Sequence, residues 1–163
     1  MSGKSTQILD GVLGALRRLN ELDLDERVEA LNAVRQALHE MSPFTDEPVD
    51  LVRWVSADLV AGNDYNPNSV APPEMELLEH SIRSDGYTQP IVAFKNGDRY
   101  EVVDGFHRHR VGKEVADVRA KLQGYLPVVI VNQGREGLGD RMAATIRHNR
   151  ARGKHAIQAM SDI

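Results

Sequence analysis

The chain has 163 residues, 41% of them hydrophobic, which suits one domain with an appendage and supplies enough apolar area for a packed core. It contains no cysteine, and this excludes a disulfide framework, thiolate metal sites and a thiol nucleophile. A net charge of −4 excludes a whole-chain polycation. The sequence also lacks an apolar run of about 18 residues and an apolar N-terminal leader, so the expected address is cytoplasmic, with no membrane partner.

The first 41 residues read as two helices. Ile8, Leu9, Val12, Leu13, Leu16 and Leu19 recur at three- and four-residue spacing and draw one apolar stripe. Asp23 or Asp25 is placed to cap a second helix carrying Val28, Leu31, Val34 and Leu38. Residues 1–45 are therefore expected to form a helical hairpin. Two helices alone bury little area, so its stripe is expected to serve a partner or a homodimer. Ser42 to Asp50 holds two prolines and three acids and reads as a linker.

The pattern changes in the second domain, residues 46–163. Leu51–Val55 reads as a short strand and the Asn/Pro-rich stretch 63–74 as a loop. Pro72 and Pro73 open a helix whose apolar face is Met75, Leu78 and Ile82, and Gly86 ends it. The segments PIVAF and RYEVVD flank Asn96-Gly97-Asp98, a hairpin signal. A strand ending at Val103 then meets a helix expected over Phe106–Val118. Leu126–Val131 reads as a buried strand, Leu138–Asn149 as a helix, and His155 opens another. The sum is a small α+β domain behind an N-terminal helical hairpin.

Four motifs carry chemistry. Gly3 to Thr6, GKST, resembles the end of a nucleoside-triphosphate loop but lacks the strand and glycine loop that must precede it. VVDGFHRHRV, Val102 to Val111, sets Gly105, His107, Arg108 and Arg110 at a strand-to-helix junction, where free N–H groups and a helix N-terminus favour an anion. The arginines offer planar paired donors to phosphate oxygens, and His107 adds a proton-dependent donor. A solvated basic helix face fits the same spacing. Arg147 to His155, RHNRARGKH, is a second basic cluster; cations at a helix C-terminus explain it equally. Gly86 to Pro90, GYTQP, joins helix to strand, where small-molecule sites are often built. His107 and His109, two apart, diverge on a helix and do not form a transition-metal pair. Mg²⁺ held mainly by phosphate oxygens stays open, with Asp104 and Glu101 the nearest acids.

Taken in order, these stretches resemble the ParB/sulfiredoxin superfamily from about Leu51 to Ile163. NPNSVAPPEMELLEHSIRSDGYTQPIV is similar to the ParB run from an Asn-Pro loop through a helix to a Gly-x-x-Gln-Pro-Ile turn. VVDGFHRHR lies where ParB has its Gly-Glu-Arg-Arg box and sulfiredoxin its Gly-Cys-His-Arg, and RHNRAR lies at the ParB Glu-Asn-x-x-Arg box. NDYNPN, VAPPEM, DGYTQPIV, VDGFHR and TIRHNRARG resemble most closely the IbrB-like branch, described as co-activators of prophage genes. The resemblance implies phosphate contacts from Gly105, His107, Arg108, Arg110, Asn149 and Arg152, and base and sugar contacts from Thr88, Gln89 and Pro90. The implied ligand is ATP, ADP or CTP, with or without Mg²⁺. Phe106 stands at the sulfiredoxin cysteine, so sulfinic-acid reduction is excluded. His148 stands at a ParB glutamate that helps hold Mg²⁺, and imidazole serves that ion poorly. The helix-turn-helix that follows in ParB proteins is not expected before Ile163.

Three functions follow. One is a nucleotide-dependent regulatory module tied to DNA or transcription, directly or through a partner protein. A second is an enzyme of this fold, a nucleotide hydrolase, nuclease or small-molecule kinase, with Asp104 or Glu101 as its acid. A third is a DNA-binding or scaffold module without nucleotide, against which the negative net charge argues mildly.

Overall fold

A computed structural model of the chain describes residues 3–62 and 72–131. The chain divides into two compact units between Trp54 and Val55.

In the first unit α1 spans Gly3–Arg17 and α2 spans Leu24–Glu40, joined by a 3-10 turn at Arg18–Glu21. The Asp23 side chain caps α2 by accepting from Glu26 N–H at 3.0 Å, and Arg27 reaches back to the carbonyls of Asn20 and Leu22. Beyond α2, Asp50 gathers His39 Nδ1 at 2.6 Å and the Ser42 hydroxyl at 3.0 Å, closing the proline-bearing stretch as a turn. This pairing holds the Asp50 carboxyl below the usual carboxylate range, the His39 hydrogen bond being the main cause. The Asn32 amide brackets Trp54, donating to its carbonyl and accepting from its N–H. The hairpin is present, but α1 buries no residue.

The second unit is built on a five-stranded sheet of order β1-β5-β3-β4-β2. Its elements are β1 (Arg53–Ser56), β2 (Val60–Ala61), α3 (Pro72–Asp85), β3 (Ile91–Asn96), β4 (Arg99–Asp104), α4 (Phe106–Glu114), α5 (Ala116–Lys121) and β5 (Tyr125–Ile130). β3 and β4 form the antiparallel hairpin expected from Asn96-Gly97-Asp98, with Asn96 opposite Arg99 and Gly97 at φ 58° in the turn. β5 runs parallel to β3, and β2 parallel to β4. β5 is buried along its middle, as a parallel strand covered on both faces should be.

The main core joins Val55, Ala57, Val60, Ile91, Ala93, Tyr100, Val102, Leu126 and Val128. Ile82, Val111 and Val118 from α3, α4 and α5 form a second cluster, and Tyr87 and Leu122 pack against both. Two boundaries differ from the sequence reading. The first strand starts at Arg53 rather than Leu51. The helix expected over Phe106–Val118 is two helices, broken at Val115, whose ψ of 111° is extended. Val111 of α4 and Val118 of α5 share one cluster across the break. The helices expected after Leu138 lie outside the described residues.

Candidate functional site

β4 ends at Asp104, and Gly105 turns the chain into α4 with φ 85° and ψ 27°, a left-handed conformation that favours glycine. Its carbonyl accepts the first helical bond, from His109 N–H at 2.8 Å. The Arg108 guanidinium folds back over this glycine: a Cβ there would lie 3.0 Å from Nη2. Arg108 Nη1 donates to Gln89 Oε1 at 3.0 Å, Nη2 reaches the Pro90 carbonyl at 3.4 Å, and Asp104 Oδ2 lies 3.7 Å away. One guanidinium thus ties the GYTQP turn to the start of α4. The Tyr87 hydroxyl reinforces the tie by donating to the Arg108 carbonyl at 2.5 Å, and burial pushes its pKa up to about 12.

The cationic run separates by role. His107 is half-buried, and both of its ring nitrogens are shielded from solvent without a hydrogen-bond partner among the described residues. Burial lowers its pKa below the ordinary 6.5, the nearby Arg110 charge adds to that, and Glu74 opposes it. His109 is 5% exposed and donates from Nε2 to the Val60 carbonyl at 3.1 Å. Lys113 Nζ donates to the same carbonyl at 2.9 Å. Both fasten α4 to β2. Arg110 lies on the exposed face and pairs with Glu114 at 3.3 Å. The Phe106 ring stands edge-on to His107, centroids 6.0 Å apart, and lies so close to Gly62 that any side chain there would overlap it.

Of the residues singled out in the sequence, Gly105, Arg108, Gln89, Pro90 and Asp104 come together, with His107 in the adjoining first turn of α4. Thr88 is exposed in the same turn. Glu101 pairs with Phe94 and Asp104 with Val92 across a register shift, so the two acids lie on the same face of β4. Asn149 and Arg152 lie outside the described residues, as does His148. Tyr87 and Lys113 were missed; Tyr87 sits inside the quoted GYTQP, while nothing local announces the bond from Lys113 to a carbonyl 53 residues away. Among the described residues no three potential metal-ligating side chains gather, and the acid nearest the box is buried against Arg108.

Residues 44–144 match the family model for the ParB N-terminal domain. The chain belongs to the ParB N-terminal domain family. It is 52% identical over 146 residues to the uncharacterized protein YbdM of Escherichia coli (strain K12), covering 89% of this chain and 68% of that protein. It is 30% identical over 76 residues to a probable chromosome-partitioning protein ParB of Borreliella burgdorferi, covering 41% of this chain and 29% of that one. The C-terminally truncated ParB of Caulobacter crescentus, solved with CTP-gamma-S, superposes with a TM-score of 0.51 at 22% identity, over 63% of this chain and 54% of that one. The likeness to ParB thus covers one domain of longer proteins, and this solved structure supports the fold.

Proposed function

We propose that the second unit is a nucleotide-binding regulatory domain associated with DNA or transcription. The ligand is a nucleoside di- or triphosphate, ATP, ADP or CTP. Gly105, His107, Arg108 and Arg110 hold its phosphates with Asn149 and Arg152, and Thr88, Gln89 and Pro90 line base and sugar.

The observation that carries this reading is the start of α4. A left-handed glycine opens a helix N-terminus, a guanidinium lies over it, and a buried imidazole offers two unpartnered nitrogens beside it. A buried polar group without a partner costs free energy, and a phosphate oxygen accepts from a ring nitrogen that carries a proton. The CTP-gamma-S in the Caulobacter ParB structure supports the choice of ligand, and the chromosome-partitioning names of the ParB relatives support the tie to DNA. The narrower IbrB-like reading, a co-activator of prophage genes, rests on the shared motif stretches.

Binding without turnover is favoured over the enzymatic alternative. Asp104 is buried against Arg108, and Phe106 places a hydrocarbon ring at the position that bears an acid or a thiol in the resembled families. A Mg²⁺ ion would ride on phosphate oxygens, since the described residues give it no cage of their own.

The test is equilibrium binding of fluorescent CTP and ATP analogues together with a phosphate-release assay. The expected result is saturable binding without phosphate release above background, weakened by His107→Ala by roughly 2- to 13-fold, equivalent to about 0.5–1.5 kcal/mol for one hydrogen bond. Repeated turnover would make the domain a hydrolase, and absence of saturable binding would reject the reading.

A further inference from the structure

We infer that the Asn32 carboxamide plugs the outer edge of β1, taking the bonds that another strand would make and keeping two copies of this chain from pairing there. In the order β1-β5-β3-β4-β2, β1 has a strand on one side only among the described residues. The outer edge of such a strand presents N–H and C=O groups that can template pairing with another chain. Ala57 N–H donates to the Gly124 carbonyl, next to the start of β5, at 2.8 Å. Alternation along β1 therefore turns the backbone groups of Trp54 and Ser56 to the other side, the outer edge.

Asn32 meets that edge. Its Nδ2 donates to the Trp54 carbonyl at 2.6 Å, and Trp54 N–H donates to its Oδ1 at 3.0 Å. One side chain makes both of the bonds that a residue of an antiparallel strand makes in a hydrogen-bonded pair. A carboxamide suits this place because it carries a donor and an acceptor, as a peptide group does. A carboxylate has no donor and an ammonium no acceptor.

α2 carries the plug, and Gln36 follows Asn32 on the same face, four residues on. Gln36 Oε1 accepts from Arg53 Nη2, while its Nε2 donates to Glu40 Oε1 at 2.9 Å. Gln36 thus grips a side chain of β1, whereas Asn32 closes its backbone. With the plug withdrawn, β1 of a second copy fits the edge. An antiparallel pair centred on Trp54 sets that residue opposite itself, and a two-fold axis makes its two bonds equivalent. This inference does not rest on the nucleotide reading.

The experiment compares the full chain with its Asn32→Ala variant by amide hydrogen exchange at low concentration and by sedimentation equilibrium at rising concentration. Alanine favours a helix, so α2 should persist, which circular dichroism checks. Should that variant not fold, Asn32→Ser, whose hydroxyl cannot bridge both groups, takes its place. Trp54 N–H should exchange at least about fivefold faster in the variant, the factor that corresponds to about 1 kcal/mol for a lost hydrogen bond. The dissociation constant for self-association should fall at least about tenfold below that of the unaltered chain. Adding Ser56→Pro should reverse this, since it removes an outward N–H at a residue whose φ of −54° proline adopts. Gln36→Ala loosens α2 from Arg53 without opening the backbone and should leave association unchanged. Unaltered Trp54 exchange, no gain in association, association that survives Ser56→Pro, or a Gln36→Ala variant that associates like Asn32→Ala would each overturn the inference.

Discussion

His107 and His109 stand two residues apart and serve different chemistry. His109 is fixed to a backbone carbonyl in the interior, whereas both ring nitrogens of His107 are buried without partners among the described residues. Burial is the first cause of a lowered pKa at both. The unfolded imidazoles bind protons as pH falls through about 6.5, while the folded ones resist, so the unfolded state holds more protons in that window. The chain should therefore lose stability as pH falls below about 6.5 toward the depressed folded values. Melting temperatures measured across that interval check this, and His109→Gln should flatten the dependence while lowering stability at neutral pH. A phosphate beside His107 acts in the opposite sense on its pKa, because an anion favours the imidazolium. Nucleotide binding should then take up a proton as pH falls below about 6.5 and tighten on acidification. Calorimetry in buffers of different ionisation enthalpy measures that uptake, and His107→Ala should remove it. The sequence shows both histidines alike, since the acceptor of His109 lies 49 residues away.

At the scale of elements, α4 is held on several sides at once. Gly105 and Arg108 fix its start, His109 and Lys113 fasten it to Val60, and Gly112 presses against Tyr87 and Leu126. A methyl at Gly112 would overlap the Tyr87 hydroxyl and a Leu126 methyl. Gly112→Ala should cost about 1–3 kcal/mol in chemical denaturation, with a parallel loss of ligand affinity as Tyr87 is displaced from Arg108. Gly11→Ala in α1 meets open space and should leave stability unchanged or raise it by up to about 1 kcal/mol. The strand–glycine–helix junction was legible because the alternation of β4 stops at a glycine. The hairpin was legible because Asn-Gly-Asp separates two β-rich runs. The break at Val115 was not, because neither glycine nor proline marks it.

At the scale of the whole molecule, charge decides how DNA could be met. Three arginines of the second unit face acids: Arg83 meets Glu79 and Asp117, Arg110 meets Glu114, and Arg119 meets Asp58. Paired cations release few counterions on meeting a phosphate backbone. If DNA binding is direct, the cluster of Arg147, Arg150, Arg152 and Lys154 is a candidate surface, beside the exposed Lys95 and Arg99. Replacing the four residues of that cluster with serine should reduce the slope of log affinity against log salt by about 0.9 for each DNA phosphate they neutralise. Arg110→Ser should leave that slope nearly unchanged, and the reverse ranking would move the DNA surface to α4. The family was legible from the order of the motifs, while the joining of turn and box through the single guanidinium of Arg108 required the folded arrangement.

The nucleotide site is tested most directly by calorimetric titration of the full chain with CTP, ATP and ADP, with and without Mg²⁺, beside Arg108→Ala. The account predicts saturable heat with at least one nucleotide. In the variant, affinity should fall by about 1.5–3 kcal/mol for each charged hydrogen bond removed, roughly 10- to 150-fold. No heat with any nucleotide, or equal affinity in the Arg108→Ala variant, would contradict it.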